Sequence, residues 1–135
     1  MTGRWGQAKR RAAPAMVATR ADWRALINLA RTCVVDAAAD QITVDAELRL
    51  MALSRRVGGA SSSVLDREAG ATVADTGRAF LKLTAAFARQ ATPPTTRRAL
   101  APVVDAAAVF LDDQLHALNT ADFQRAHAGR PEVWN

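Results

Sequence analysis

Apolar positions recur along most of the chain at the three- and four-residue spacing of helices. From Arg20 they fall at Trp23, Leu26, Ile27, Ala30, Cys33, Val34 and Ala37, with Arg20, Arg24, Arg31 and Asp36 on the opposite side. That pattern predicts an amphipathic first helix, and Thr19 stands where a hydroxyl can cap it. Between Gln41 and Met51 the pattern is ambiguous, because Ile42, Val44, Ala46, Leu48 and Leu50 alternate as in a strand. Val44, Leu48 and Met51 also share a helix face, and the chain offers no second strand to pair with. A second helix is therefore expected, after a break near residues 40–43 and with Asp40 or Thr43 as its cap.

The run Val57-Gly58-Gly59-Ala60-Ser61-Ser62-Ser63 reads as a loop. Glycine closes the helix before it, and Ser63 with Asp66 resembles a capping box for the next. A long third helix is expected from there to about Gln90, with Leu65, Ala69, Val73, Phe80, Leu83 and Phe87 on its buried side. Gly70, Ala74 and Gly77 form a second stripe of small residues. Such a stripe lets another helix approach closely, within the fold or between subunits, and each glycine costs helix stability on the order of 1 kcal/mol.

Thr92-Pro93-Pro94-Thr95-Thr96 marks a stop and restart. Pro102 then either sits in the first turn of a helix from Leu100 or kinks one from Thr96. Val104, Ala108, Leu111, Leu115 and Leu118 supply the buried stripe, with Val103, Ala107 and Phe110 expected to widen it. Asn119 and Thr120 are expected to interrupt, Thr120 capping a short helix to about Ala128 before Gly129 and Pro131. The predicted fold class is all-α, a compact helical bundle of four to five helices over residues 19–128. An extended basic arm precedes it at 1–18 and a short tail follows at 129–135.

Composition narrows the class. A chain of 135 residues that is 50% hydrophobic can form one core without a disulfide or a metal. Cys33 is the single cysteine, which leaves no internal disulfide, redox pair or cysteine-rich zinc site. The longest apolar run, residues 99–111, is broken by Asp105 and too short for a membrane span. Residues 9–18 place Lys9, Arg10 and Arg11 before a short apolar segment. That segment holds Pro14 and lacks leucine or phenylalanine, a poor secretory signal, so an intracellular protein is expected, alone or in an assembled particle.

Charge is concentrated at the front. Residues 1–31 carry Arg4, Lys9, Arg10, Arg11, Arg20, Arg24 and Arg31 against Asp22, a net of +6. The other 104 residues hold eleven basic and twelve acidic side chains, a net of −1. Arginine outnumbers lysine 16 to 2, but a GC-rich coding sequence produces the same bias, so the choice of arginine does not itself argue for phosphate recognition. Clustering of charge does, and Arg4, Lys9, Arg10, Arg11 and Arg20 are the candidates for contact with nucleic acid or an acidic surface.

Catalytic and metal-binding patterns are thin. Asp112, Asp113 and His116 share a helix face, but a di-metal bundle needs a carboxylate–histidine unit on each of two helices, and His127 has no matching carboxylate. Asp36, Asp40, Asp45 and Glu47 read as caps or a solvated face rather than an acid–base pair. Ser61, Ser62 and Ser63 lack a nucleophile context, and Cys33 falls on an apolar stripe. A helix-turn-helix across residues 40–43 would present Asp45 and Glu47 to phosphates at the end that reads bases. No cofactor, no metal site and no enzymatic activity are expected.

The tails are less ordinary. Trp5 lies in the arm and Trp134 is the penultimate residue. Exposed tryptophan is costly, and it is the residue type most enriched at binding hot spots. With the small-residue stripe of Gly70, Ala74 and Gly77, these predict a non-enzymatic interaction module joined to neighbouring subunits by arm and tail. The partners would be copies of itself or subunits of a larger assembly, in a setting such as a bacteriophage virion connector. The alternative expectation is a small nucleic-acid-binding regulator or packaging factor that uses residues 1–31.

Overall fold

In the computed structural model, the backbone is described for residues 16–127 and the side chains for 16–118. The extended segment before the first helix forms strand β1 (Val17–Ala18), paired in parallel with β2 (Ser62–Ser63), Val17 opposite Ser62 and Ala18 opposite Ser63. The Ser61 N–H and hydroxyl both donate to the Met16 carbonyl, at 2.9 and 2.8 Å. Ala18 is fully buried. The folded body thus begins two residues before Thr19, and the serine run is a docking strand as well as a cap.

Helix α1 (Arg20–Ala38) starts at Thr19 with a reciprocal cap. The Asp22 N–H donates to Thr19 Oγ1 (3.2 Å) and the Thr19 N–H donates to Asp22 Oδ2 (3.0 Å). Trp23, Leu26, Ile27, Ala30, Cys33 and Ala37 are buried, as the periodicity predicts. The helix ends where Asp40 adopts φ 53°, a left-handed conformation that aspartate tolerates better than most side chains.

Helix α2 (Val44–Gly58) is capped by Thr43, whose Oγ1 accepts the Ala46 N–H at 3.1 Å. Asp45 and Glu47 in its first turn and Arg55 and Arg56 in its last oppose the helix dipole. The ambiguous segment is therefore helical, but its buried face is displaced from the expected one. Glu47, Leu50, Ser54 and Val57 point inward, while Val44 and Leu48 are more than half exposed.

The long third helix is two. Helix α3 (Val64–Glu68) stops at Ala69, and α4 (Ala71–Ala88) begins after Gly70, both linking residues having extended backbone. Two consecutive extended residues break the hydrogen-bond ladder where a glycine would have weakened it anyway. Ser63 caps α3 through the Leu65 N–H (3.2 Å), while Asp66 turns away from the expected capping box to accept from Arg78 Nη1 of α4 at 2.9 Å.

Helix α5 (Pro94–His127) is continuous over 34 residues, roughly 50 Å. It begins close to the second of the two expected alternatives and carries Pro102 inside it. Its backbone passes through Asn119 and Thr120 without a break, so neither ends it. The described residues thus form five helices. Helix α5 packs on α1 and α4, and α2 packs on α4 and α1. Between them lie Phe80, Phe87, Leu26, Ile27, Leu50, Leu65, Val104, Leu111 and Leu115, each sealed from solvent. Burial of such side chains contributes about 1.5–3 kcal/mol apiece.

Candidate interaction surface

Helix α5 is held in one rotation by polar pins. Arg97, three residues into it, is nearly buried, and its guanidinium satisfies three elements at once. Nη1 donates to Glu47 Oε1 of α2 (3.0 Å), Nε to the Phe87 carbonyl (3.0 Å) and Nη2 to the Arg89 carbonyl (3.0 Å). The two carbonyls belong to the C-terminal end of α4, where helices leave acceptors unpaired. The guanidinium carbon also lies 5.8 Å from the centre of the Phe87 ring. Two turns on, Asp105 accepts from Arg31 Nε of α1 at 3.4 Å.

With Arg97 inward, Val104, Ala108, Leu111 and Leu115 follow on the buried side. The opposite side carries Ala99, Val103, Ala106, Phe110, Asp113 and Ala117, spaced alternately by four and three residues, all exposed. Pro102 and Val109 flank this line, also exposed. Val103 is 50% and Phe110 37% exposed, so neither widens the core as the periodicity suggested. Ala107, the third residue expected there, is half-buried. Between Arg98 and Asp112 the sole charged residue is Asp105, on the flank that faces Arg31. The exposed side of α5 is therefore an apolar surface of about three helical turns, from Ala99 to Phe110, with an arginine at its start and an exposed aspartate, Asp113, just past its end.

The small-residue stripe has a different fate from that expected. Gly70 is outside the helix and exposed, with nothing near the place a Cβ would occupy. Ala74 and Gly77 are buried within the chain. A Cβ on Gly77 would lie 2.7 Å from Leu65 Cδ1 and 3.2 Å from Trp23 Cη2. The partner covering this face is the chain's own Trp23, whose Nε1–H donates to Ser63 Oγ at 2.8 Å in the interior.

Arg20 opens α1 and is half-buried. Trp5, Trp134, Arg4, Lys9, Arg10 and Arg11 lie outside the described residues. The acidic group of the second helix is dispersed: Asp45 is an exposed first-turn residue, Asp40 is the turn, and Glu47 is the buried partner of Arg97. Cys33 is sealed in the core, where burial and then the Asp36 carboxylate push its thiol above its ordinary value. Among the described residues no three His, Cys, Asp or Glu side chains come together as a metal site, and no buried side-chain nitrogen or oxygen lacks a partner. The groove between α1 and α5 is crossed by the Arg31–Asp105 pair, and its hydroxyl, Thr32, donates to the carbonyl of Asn28. No described helix is long and apolar enough to cross a membrane.

Two features escape the sequence pattern. The Glu47–Arg97 pair joins residues fifty positions apart, and neither has a spacing that marks it. The outer side of α5 is hidden by richness: with apolar residues all round, periodicity does not say which side faces out. The signal available was the 4-3-4-3-4 spacing from Ala99 to Ala117, parallel to the buried stripe. No protein-family model, curated protein or solved structure matches this chain.

Proposed function

We propose that this chain is a non-enzymatic interaction module, a helical body that joins neighbouring subunits of an assembly. The observation that carries this is the outer side of α5, where Ala99, Pro102, Val103, Ala106, Val109 and Phe110 face solvent together. Scattered apolar residues are normal on a protein surface, but a contiguous apolar side of one long helix is what a docking partner covers. The basic arm and the tryptophans at positions 5 and 134 add contacts beyond the body in this scheme.

Native mass spectrometry of the full-length protein at moderate salt tests it. A discrete oligomer or a defined protein complex is expected, and a monomer with no protein bound would overturn it. The contribution of the arm is measured by deleting residues 1–15, leaving Val17 and Ala18 to pair with Ser62 and Ser63.

The net charge of +6 over residues 1–31 favours a second role, nucleic-acid binding through the arm. It requires affinity that falls steeply with salt, and replacing Arg10 and Arg11 by alanine should reduce the salt slope by roughly two, one per lost phosphate contact. Salt-independent binding would dispose of it.

A further inference from the structure

We infer that the outer side of α5 pairs with the same side of a second copy, the two helices running antiparallel about a two-fold axis near Ala106. This rests on the interaction-module assignment and names its partner. The spacing of Ala99, Val103, Ala106, Phe110, Asp113 and Ala117 is the seam pattern by which two helices interlock. Its apolar part, from Ala99 to Phe110, extends over about 16 Å of helix. Ala99 and Ala106 are small enough for close approach of the backbones, and Val103 and Phe110 are the knobs that project from the seam, with Val109 on its flank.

Charge decides both the partner and the direction. Arg98 stands beside one end of the seam and the exposed Asp113 stands at its other end, while Asp105 and Asp112 lie further round toward the bundle and are half-buried. In an antiparallel pair like flanks meet, and a two-fold near Ala106 brings Arg98 of each copy level with Asp113 of the other, at both ends. A parallel pair would bring arginine level with arginine and aspartates level with aspartates, which is repulsive. The surface is thus complementary to itself in one orientation, the condition for a closed two-fold interface. Within its own chain Arg98 reaches Asp40 at 4.0 Å, with both side chains more than half exposed. Such a contact is worth little and leaves the guanidinium able to turn to a partner. The same register sets Val103 beside Val109 of the second copy and Phe110 beside its Pro102.

Sedimentation equilibrium of the full-length protein, with helicity checked by circular dichroism, tests the pairing. The wild-type chain is expected to be dimeric. V103E together with F110E, both at exposed positions, should raise the dimer dissociation constant on the order of 100-fold by setting charge into the seam. R98D alone should raise it about tenfold, and so should D113R alone. Both charge changes together should restore it to within about threefold of wild type, since the complementarity is inverted but intact. A cysteine at position 106 should form an intermolecular disulfide and one at position 99 should not, because only a parallel pair brings position 99 level with its counterpart; Cys33 is buried and does not compete.

An oligomer indifferent to V103E and F110E, or one in which the charge-inverted chain fails to recover, would overturn the pairing while leaving the interaction-module assignment standing. A complex with a different protein that V103E and F110E disrupt, without any homodimer, would do the same. A monomer with nothing bound would overturn both.

Discussion

The inner side of α5 carries Val104, Ala108, Leu111 and Leu115, and the outer side carries Ala99, Val103, Ala106, Val109 and Phe110. In residue type the two are nearly interchangeable, yet the first group is sealed and the second faces solvent. Apolar content does not separate them; the polar residues do. Arg97 is in line with the inner group and has partners only there, in Glu47 and the carbonyls of Phe87 and Arg89. Turning α5 half a revolution would fill the core with Val103 and Phe110 but withdraw the guanidinium from all three acceptors. It would also leave Glu47 buried without its cation, a cost of several kcal/mol. Hydrophobic burial pulls α5 onto the bundle, and a few long-range hydrogen bonds choose which side arrives.

The largest expected effect is the direct contrast between the sides. Leu111→Ala empties a fully buried position and should destabilise the fold by about 2–5 kcal/mol, measured by urea unfolding. Val103→Ala, one of the exposed set, should change monomer stability by less than about 0.5 kcal/mol. Comparable losses for the two at concentrations where the protein is monomeric would mean that the outer side is covered in solution by the chain's own residues.

Next in size is the pin. Arg97→Ala should destabilise by about 3 kcal/mol, because it leaves the buried Glu47 carboxylate and the Phe87 carbonyl without their donor, while the Arg89 carbonyl keeps the Thr92 N–H. Glu47→Gln, which keeps an acceptor for Nη1, should cost distinctly less. If Arg97→Ala and Leu111→Ala are combined, the losses should fall close to additive, since fourteen residues of helix, about 21 Å, separate the two. An Arg97→Ala protein as stable as wild type would show that apolar packing alone orients α5.

Much of this architecture is legible from residue spacing. The buried face of α1, the Thr19 and Thr43 caps and the inner line of α5 all follow from local pattern, because each depends on neighbours within one or two turns. The misplaced features depend on contacts across the fold. Periodicity carries a helix through residues 69 and 70, yet the chain turns there, and Leu65 and Trp23 both come to lie against Gly77. Val103 and Phe110 look like core until Arg97 fixes the rotation. Glu47 looks solvated until Arg97, fifty residues later, is seen to need it. For the candidate surface, composition made α5 apolar all round, but only the fold separates the covered side from the open one.

The smallest effect sharpens the same contrast on a second helix, where a stripe of small residues is covered rather than open. Gly77 is buried because the Trp23 ring and Leu65 press on it, so Gly77→Ala must displace a ring atom 3.2 Å away as well as the end of a leucine. Overpacking of this kind costs about 1–3 kcal/mol. The gain in helix propensity returns up to about 1 kcal/mol, leaving a net loss near 1 kcal/mol. Gly70→Ala meets open space in the extended link and should fall within about 0.5 kcal/mol of wild type. With Trp5 and Trp134 replaced by phenylalanine, fluorescence of Trp23 should report the difference, shifted in the first variant and unchanged in the second. Equal stabilities and equal spectra would mean that Trp23 does not rest on α4, and that this small-residue face is as open as the outer side of α5.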